Sequence, residues 1–194
     1  MRADRRQSDG QRRLPHCQIL RWIECLRERR LFVKRADQAM KLVSAAYDQD
    51  EAQVRALLES GVNPNWPTDG LGGRPLCHIV LLGSPEVVQL LLQYGAEVNY
   101  HSDPHQFPPL VGACTRISVE PEVALCIARA LFDAGADPWT TWGDKREFTL
   151  EQAGGHYPEF MRLVEEARAR HGSPAAHTPA KSTSAEPMSN VPHP

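Results

Sequence analysis

What this chain lacks narrows it first. No stretch approaches the roughly 18 consecutive apolar residues that a membrane-spanning helix needs. No long apolar segment comes after the arginine-rich start, so no secretory signal is expected either. No CxxC pair is present: the five cysteines, at 17, 25, 77, 114 and 126, form an odd set without tight pairs. Cys77, Cys114 and Cys126 fall inside apolar helical patterns, where a free thiol behaves as a small hydrophobe. The expectation is separate core thiols and a reducing, cytoplasmic compartment. Catalytic signatures are missing as well. There is no GxSxG, no HExxH, no phosphate-binding glycine loop and no acid/base pair at a recognisable spacing. Gly70-Leu71-Gly72-Gly73 is glycine-rich but precedes Pro75 in a turn instead of coming after a strand. A non-enzyme is expected, with no cofactor and no small-molecule substrate.

The net charge of −2 conceals an asymmetry. Residues 1–35 carry ten Arg and one Lys against Asp4, Asp9, Glu24 and Glu28, a surplus of seven positive charges, and the remainder is acidic. Met1 to Arg13 lacks apolar periodicity and is expected to be disordered. From Leu14 to Lys34, Ile19, Ile23 and Leu26 fall on one helical face beside Leu20 and Trp22. Residues 1–35 are therefore read as a basic arm with an amphipathic helical pattern, placed over the open end of the helical body behind it. A solvated tail and a targeting helix stay open, as does recruitment to nucleic acid or acidic membrane.

What is there repeats. Leu42, Leu76, Leu110 and Leu150 occupy one recurring position, and Gly61, Gly95 and Gly135 another. The first two leucine intervals are 34 residues and the third is 40, while Gly to the next Leu is always 15, so six extra residues lie between Leu110 and Gly135, around Ile117 to Glu122. Each unit reads as two short helices. In the second, Pro75 opens the inner helix, Ser84 caps the outer one, Pro85 and Glu86 fill its first turn, and Gly95 supplies a left-handed stop. Val87, Val88, Leu90, Leu91 and Leu92 leave that helix little polar face, as a hairpin covered by similar neighbours requires. Gln53 stands where the second unit has Val87, and Glu165-Glu166 come after the apolar start of the last helix, marking terminal units. The boundaries predicted are an arm at 1–35, repeats at about 36–69, 70–103, 104–143 and 144–170, and a Ser/Pro/Ala-rich disordered tail at 171–194.

These residues resemble ankyrin repeats. The matches are Gly61-Val62-Asn63-Pro64-Asn65, Gly95-Ala96-Glu97-Val98-Asn99 and Gly135-Ala136-Asp137-Pro138, each after a leucine-rich helix, at a period near the ~33 residues of that family. The resemblance implies an all-α solenoid of helical hairpins with short β-turn fingers. It also implies that the concave surface of fingers and inner helices binds another protein. No repeat keeps the family's Thr-Pro-Leu-His: the four read Met40-Lys41-Leu42-Val43, Arg74-Pro75-Leu76-Cys77, Pro108-Pro109-Leu110-Val111 and Phe148-Thr149-Leu150-Glu151. The Thr and His that tie neighbouring turns are thus expected to be missing.

Aligned on their glycines, the fingers make Trp66, Tyr100 and Thr140 equivalent, and likewise Thr68, Ser102 and Trp142; Trp139 replaces the asparagine seen at 65 and 99. Exposed aromatics anchor protein interfaces because they bury much area at low entropy cost. Packing of finger on finger is the competing use. Trp66, Arg74, Tyr100, His101, Trp139 and Trp142 form the candidate partner-binding set. His101, Asp103 and His105 share one finger, but a third firm zinc ligand is not evident and Pro104 favours a solvated loop. His78 reads as a half-buried packing residue. The function expected is non-catalytic binding of an unidentified protein, as an adaptor or an enzyme inhibitor of immunity type.

Overall fold

A computed structural model of the protein describes residues 16–68, 73–100, 107–143 and 148–171, with side chains from residue 24. The chain divides into two compact units, residues 1–96 and 97–194. The described residues form an all-α fold of short paired helices, with one small sheet of two strands of two residues each.

The first unit holds α1 (His16–Tyr47), α2 (Glu51–Glu59), α3 (Pro75–Leu82) and α4 (Pro85–Gln93). Helix α1 packs on α2 and α3, and α4 packs on α2 and α3. No break marks the expected boundary at residue 35. Lys34-Arg35-Ala36-Asp37 contains neither Gly nor Pro, so the arm helix and the first inner helix are one continuous rod. The rod ends where Gln49 takes a positive φ of 56°, and Asp50 then caps α2 by accepting from the Gln53 amide at 2.9 Å. Ser84 caps α4 through the Val87 amide at 3.3 Å, with Pro85 in the first turn. Gly61 and Gly95 stop α2 and α4 at φ of 92° and 81°. Val87 is fully buried while Gln53, its equivalent on α2, is exposed, as an outward-facing unit needs.

The second unit holds α5 (Pro109–Arg116), α6 (Pro121–Asp133), β1 (Thr141–Trp142), β2 (Phe148–Thr149), α7 (Leu150–Gly154) and α8 (Pro158–His171). Helix α5 packs on α6 and α7, and α8 on α6 and α7. The six extra residues are divided between two places: α6 has 13 residues where α4 has 9, and residues 117–120 lengthen the preceding loop. Strands β1 and β2 pair antiparallel, Thr141 with Thr149 and Trp142 with Phe148. Thr149 and Gln152 form a reciprocal capping box at the start of α7. The recurring Leu42, Leu76, Leu110 and Leu150 are all at most 2% exposed. Each therefore contributes about 1.5–3 kcal/mol of burial to its unit.

Cys77 and Cys114 are buried, but Cys126 is exposed on α6, which corrects its assignment to the core. Its neighbours Ile127 and Ala128 take the inward positions instead. Burial pushes both inner thiols up to about 11 from 9.0. Because the folded form holds these protons more tightly, the stabilisation is complete below pH 9.0 and is lost as pH rises toward 11. A disulfide reagent at neutral pH is expected to label Cys126 rapidly, and Cys77 and Cys114 only at the rate of unfolding. Mass-spectrometric mapping of the labelled thiols checks this order.

Candidate functional site

In the first finger Asn63 Oδ1 accepts from the Asn65 amide at 2.8 Å, and the Trp66 amide donates to the Asn63 carbonyl at 3.1 Å. These local bonds aim the Asn65 side chain at the next turn, where Nδ2 donates to the Gly95 carbonyl at 2.8 Å. The second unit repeats the device. Asn99 Nδ2 donates to the Gly135 carbonyl at 2.9 Å, and Asn99 Oδ1 accepts from the Asp137 amide at 2.8 Å. Each asparagine thereby satisfies a carbonyl at the end of the next outer helix, fixing one finger to the next.

Trp66 comes directly after Asn65 and is half-buried, with the Arg35 guanidinium of α1 over its ring, 5.7 Å from the centroid. Thr68, further along, is buried: its amide and hydroxyl both donate to the Gly73 carbonyl, at 2.6 and 2.9 Å. With that hydroxyl proton committed, Thr68 Oγ1 accepts from His78 Nε2 at 3.1 Å, which assigns the His78 proton to Nε2. A Thr–His tie is therefore present in the first unit, made from positions other than those of the family's tetrapeptide. Arg74 is half-buried at the N-cap of α3. By the 34-residue period, Met40, Ser44 and Tyr47 of α1 correspond to Arg74, His78 and Leu81 of α3. Met40, Tyr47, Leu81 and Leu82 are exposed, and the Tyr47 hydroxyl donates to the His78 carbonyl at 3.3 Å.

In the second unit Tyr100 is half-buried beside Asn99. His101, with Asp103 and His105, lies outside the described residues. Trp139 occupies the asparagine position of the third finger, and its ring lies 4.2 Å from the Arg168 guanidinium of α8. Arg168 also donates to the Pro138 carbonyl at 3.2 Å and pairs with Glu151 at 2.6 Å. Burial would raise Glu151, but bonds from the Thr149 hydroxyl, its own amide and Arg168 outweigh it and hold the carboxyl below its usual 4.5. Trp139 thus serves to dock the last helix. Trp142 is only 7% exposed and stacks on Phe148 with centroids 5.9 Å apart. That corrects its place in the candidate surface: the β1–β2 register sets Trp142 and Phe148 on one face, where the exposed Phe148 ring covers that of Trp142. Sequence reasoning missed Arg35 and Arg168 because a cation over a ring from a distant helix leaves no local pattern.

Among the described residues no three His, Cys, Asp or Glu side chains gather as a metal site, and no helix is long and apolar enough to cross a membrane.

Comparisons with known proteins agree with this geometry. The family model for the ankyrin repeat matches residues 72–103. The chain is 45% identical to human (Homo sapiens) cyclin-dependent kinase inhibitor 2A over 58 residues, covering 30% of this chain and 36% of that protein. It is 40% identical to ankyrin repeat and SOCS box protein 6 of Mus musculus over 82 residues, or 42% and 18% of the two chains. It is also 46% identical to cyclin-dependent kinase 4 inhibitor B of Bos taurus over 56 residues, or 29% and 40%. The chain spans less than half the length of each of these relatives.

Proposed function

Because the chain is an ankyrin-repeat protein, we propose that it works without catalysis, by binding a protein partner through its fingers and the exposed faces of its inner helices. The observation that carries this reading is the asparagine ladder. Within its own unit each asparagine, Asn65 or Asn99, is bonded to the next turn, and each precedes a half-buried aromatic, Trp66 or Tyr100. A preformed aromatic anchor on a rigid turn lowers the entropy cost of association. Exposed Met40, Tyr47, Leu81 and Leu82 add apolar area on α1 and α3. Trp66→Ala with Tyr100→Ala is expected to weaken partner capture by at least about ten-fold, a typical hot-spot loss, while far-ultraviolet circular dichroism stays unchanged. The measurement is quantitative affinity capture by the tagged chain, and capture equal to that of the parent chain rejects the finger site.

A finer reading is enzyme inhibition, supported by the identity to proteins named as inhibitors of cyclin-dependent kinases. Purified chain titrated into a cyclin-dependent kinase assay should lower substrate phosphorylation in proportion to complex formed. An undiminished rate at saturating chain removes the inhibitor reading and leaves the binding one standing.

A further inference from the structure

Helix α1 runs well beyond the two helices it packs on. Its buried residues Ala39, Leu42, Val43, Ala45 and Ala46 lie on one broad side, near its C-terminal end. About a third of a turn away, at ~100° per residue, runs a second apolar row: Leu26, Val33, Met40 and Tyr47, 40%, 66%, 48% and 40% exposed. These four are spaced by seven residues, the interval at which one helix presents a seam to another. The row extends for about 32 Å at ~1.5 Å per residue, enough to seat a partner helix of about six turns.

Charge decides what fits it. Arg29 falls within the seam between Leu26 and Val33, and Arg30, Lys34 and Lys41 line one flank, all exposed. Lys41 is paired with Asp37 at 2.8 Å on the same flank. A second copy of this helix would set Arg29 and its basic flank against their own kind, and like charges facing each other at such a seam oppose pairing. A bilayer suits the helix poorly, because Leu31 and Phe32 are exposed on the other side and a guanidinium interrupts the apolar row. Carboxylates opposite Arg29, Arg30 and Lys34 would complete the seam, as the bidentate geometry of arginine favours.

From this we infer that α1 receives an acidic amphipathic helix of a partner protein, laid along Leu26, Val33, Met40 and Tyr47 with its carboxylates against Arg29, Arg30 and Lys34. The inference rests on the protein-binding reading above and assigns that partner its chemistry. It places a docking surface on the extension of the first helix, apart from the finger aromatics.

The test uses the full chain and two synthetic helical peptides of about six turns, each with leucine at the seam positions. One carries glutamate at the flanks and the other lysine. By fluorescence anisotropy the glutamate peptide is expected to bind saturably, more weakly as salt rises, and the lysine peptide not to bind. Leu26→Glu with Val33→Glu should weaken the glutamate peptide at least about ten-fold with helical circular dichroism intact. The triple change Arg29→Glu, Arg30→Glu and Lys34→Glu should transfer binding to the lysine peptide. Equal binding of both peptides, or of neither, overturns the inference. So does a chain that sediments as a dimer through these residues, or that binds phosphatidylserine-containing vesicles and not the glutamate peptide. If the peptides fail while capture still depends on Trp66 and Tyr100, only the α1 site falls. If the chain captures no protein at all, the protein-binding reading falls with it.

Discussion

Phe160→Ala is expected to destabilise the second unit by about 3–5 kcal/mol, the range for deleting a fully buried aromatic. Among the described residues Phe160 is the largest fully buried side chain, and it belongs to α8, which packs on α6 and α7. Its removal takes away the transfer free energy of the ring and leaves a cavity whose walls include Gly154 and Cys114, both themselves buried. Gly154 has no side chain with which to fill the space, and Cys114 is held in α5. With total stabilities of about 5–15 kcal/mol for ordinary domains, this one change should take most of the cooperative unfolding signal of the unit. Urea denaturation followed by circular dichroism checks it. A loss under about 1 kcal/mol would mean that the site collapses around the void and that α8 is far less tightly packed than its burial indicates.

Gly154→Ala should fail for the opposite reason. On propensity alone, alanine in a helix gains up to about 1 kcal/mol over glycine. Here the new Cβ would stand 2.6 Å from Phe160 Cε1, closer still to Cδ1, and 2.9 Å from Cys114 Sγ. Neither neighbour can retreat into solvent, since both are buried. Overpacking of a filled core costs about 1–3 kcal/mol, so the net effect is destabilising. Phe160→Leu in the same chain should recover part of the loss by giving up ring volume. A double-mutant cycle by urea denaturation is expected to show coupling above about 0.5 kcal/mol. Additive losses would place the two residues out of contact and contradict the packing of α7 on α8.

Both changes act at a place that the repeat pattern located and did not explain. Leu150 and the restart at Tyr157-Pro158-Glu159 were legible as a fading last unit, because apolar periodicity and helix-start residues are local signals. The same locality made Ser84, Gly61, Gly95 and Gly135 readable as caps. It failed where a helix boundary had no local marker. Residues 34–37 contain no breaker, yet the period of the repeat suggested a new start there, and the structure runs α1 straight through. It failed again for Cys126, whose neighbours are apolar but whose own direction on α6 is outward. A one-residue step rotates a helical side chain by about 100°, enough to exchange core for solvent.

The finger aromatics divide along the same line. Sequence alone aligned Trp66 with Tyr100 and noted that Trp139 breaks the asparagine series. It could not tell which rings stay available. Trp142 is covered by the ring of its strand partner Phe148, and Trp139 is held beneath Arg168, which belongs to a separate helix. Those outcomes depend on where α8 docks and how the third finger pairs.

By itself, then, the sequence determined the period, the leucine positions, the helix stops and the acidic body behind a basic arm. The helix stops depend on residues within one or two turns of one another, where steric and hydrogen-bonding preferences act without knowledge of the fold, and the period and the charge balance are read directly from the order of residues. Only the tertiary structure decided that Asn65 spans to Gly95 and Asn99 to Gly135, that Thr68 and His78 tie the first finger to its helix, and that Leu26, Val33, Met40 and Tyr47 remain in water. The physical reason is separation along the chain. A partner far away in sequence, or its absence, is fixed by packing between elements, and that packing leaves no periodic trace in either segment alone.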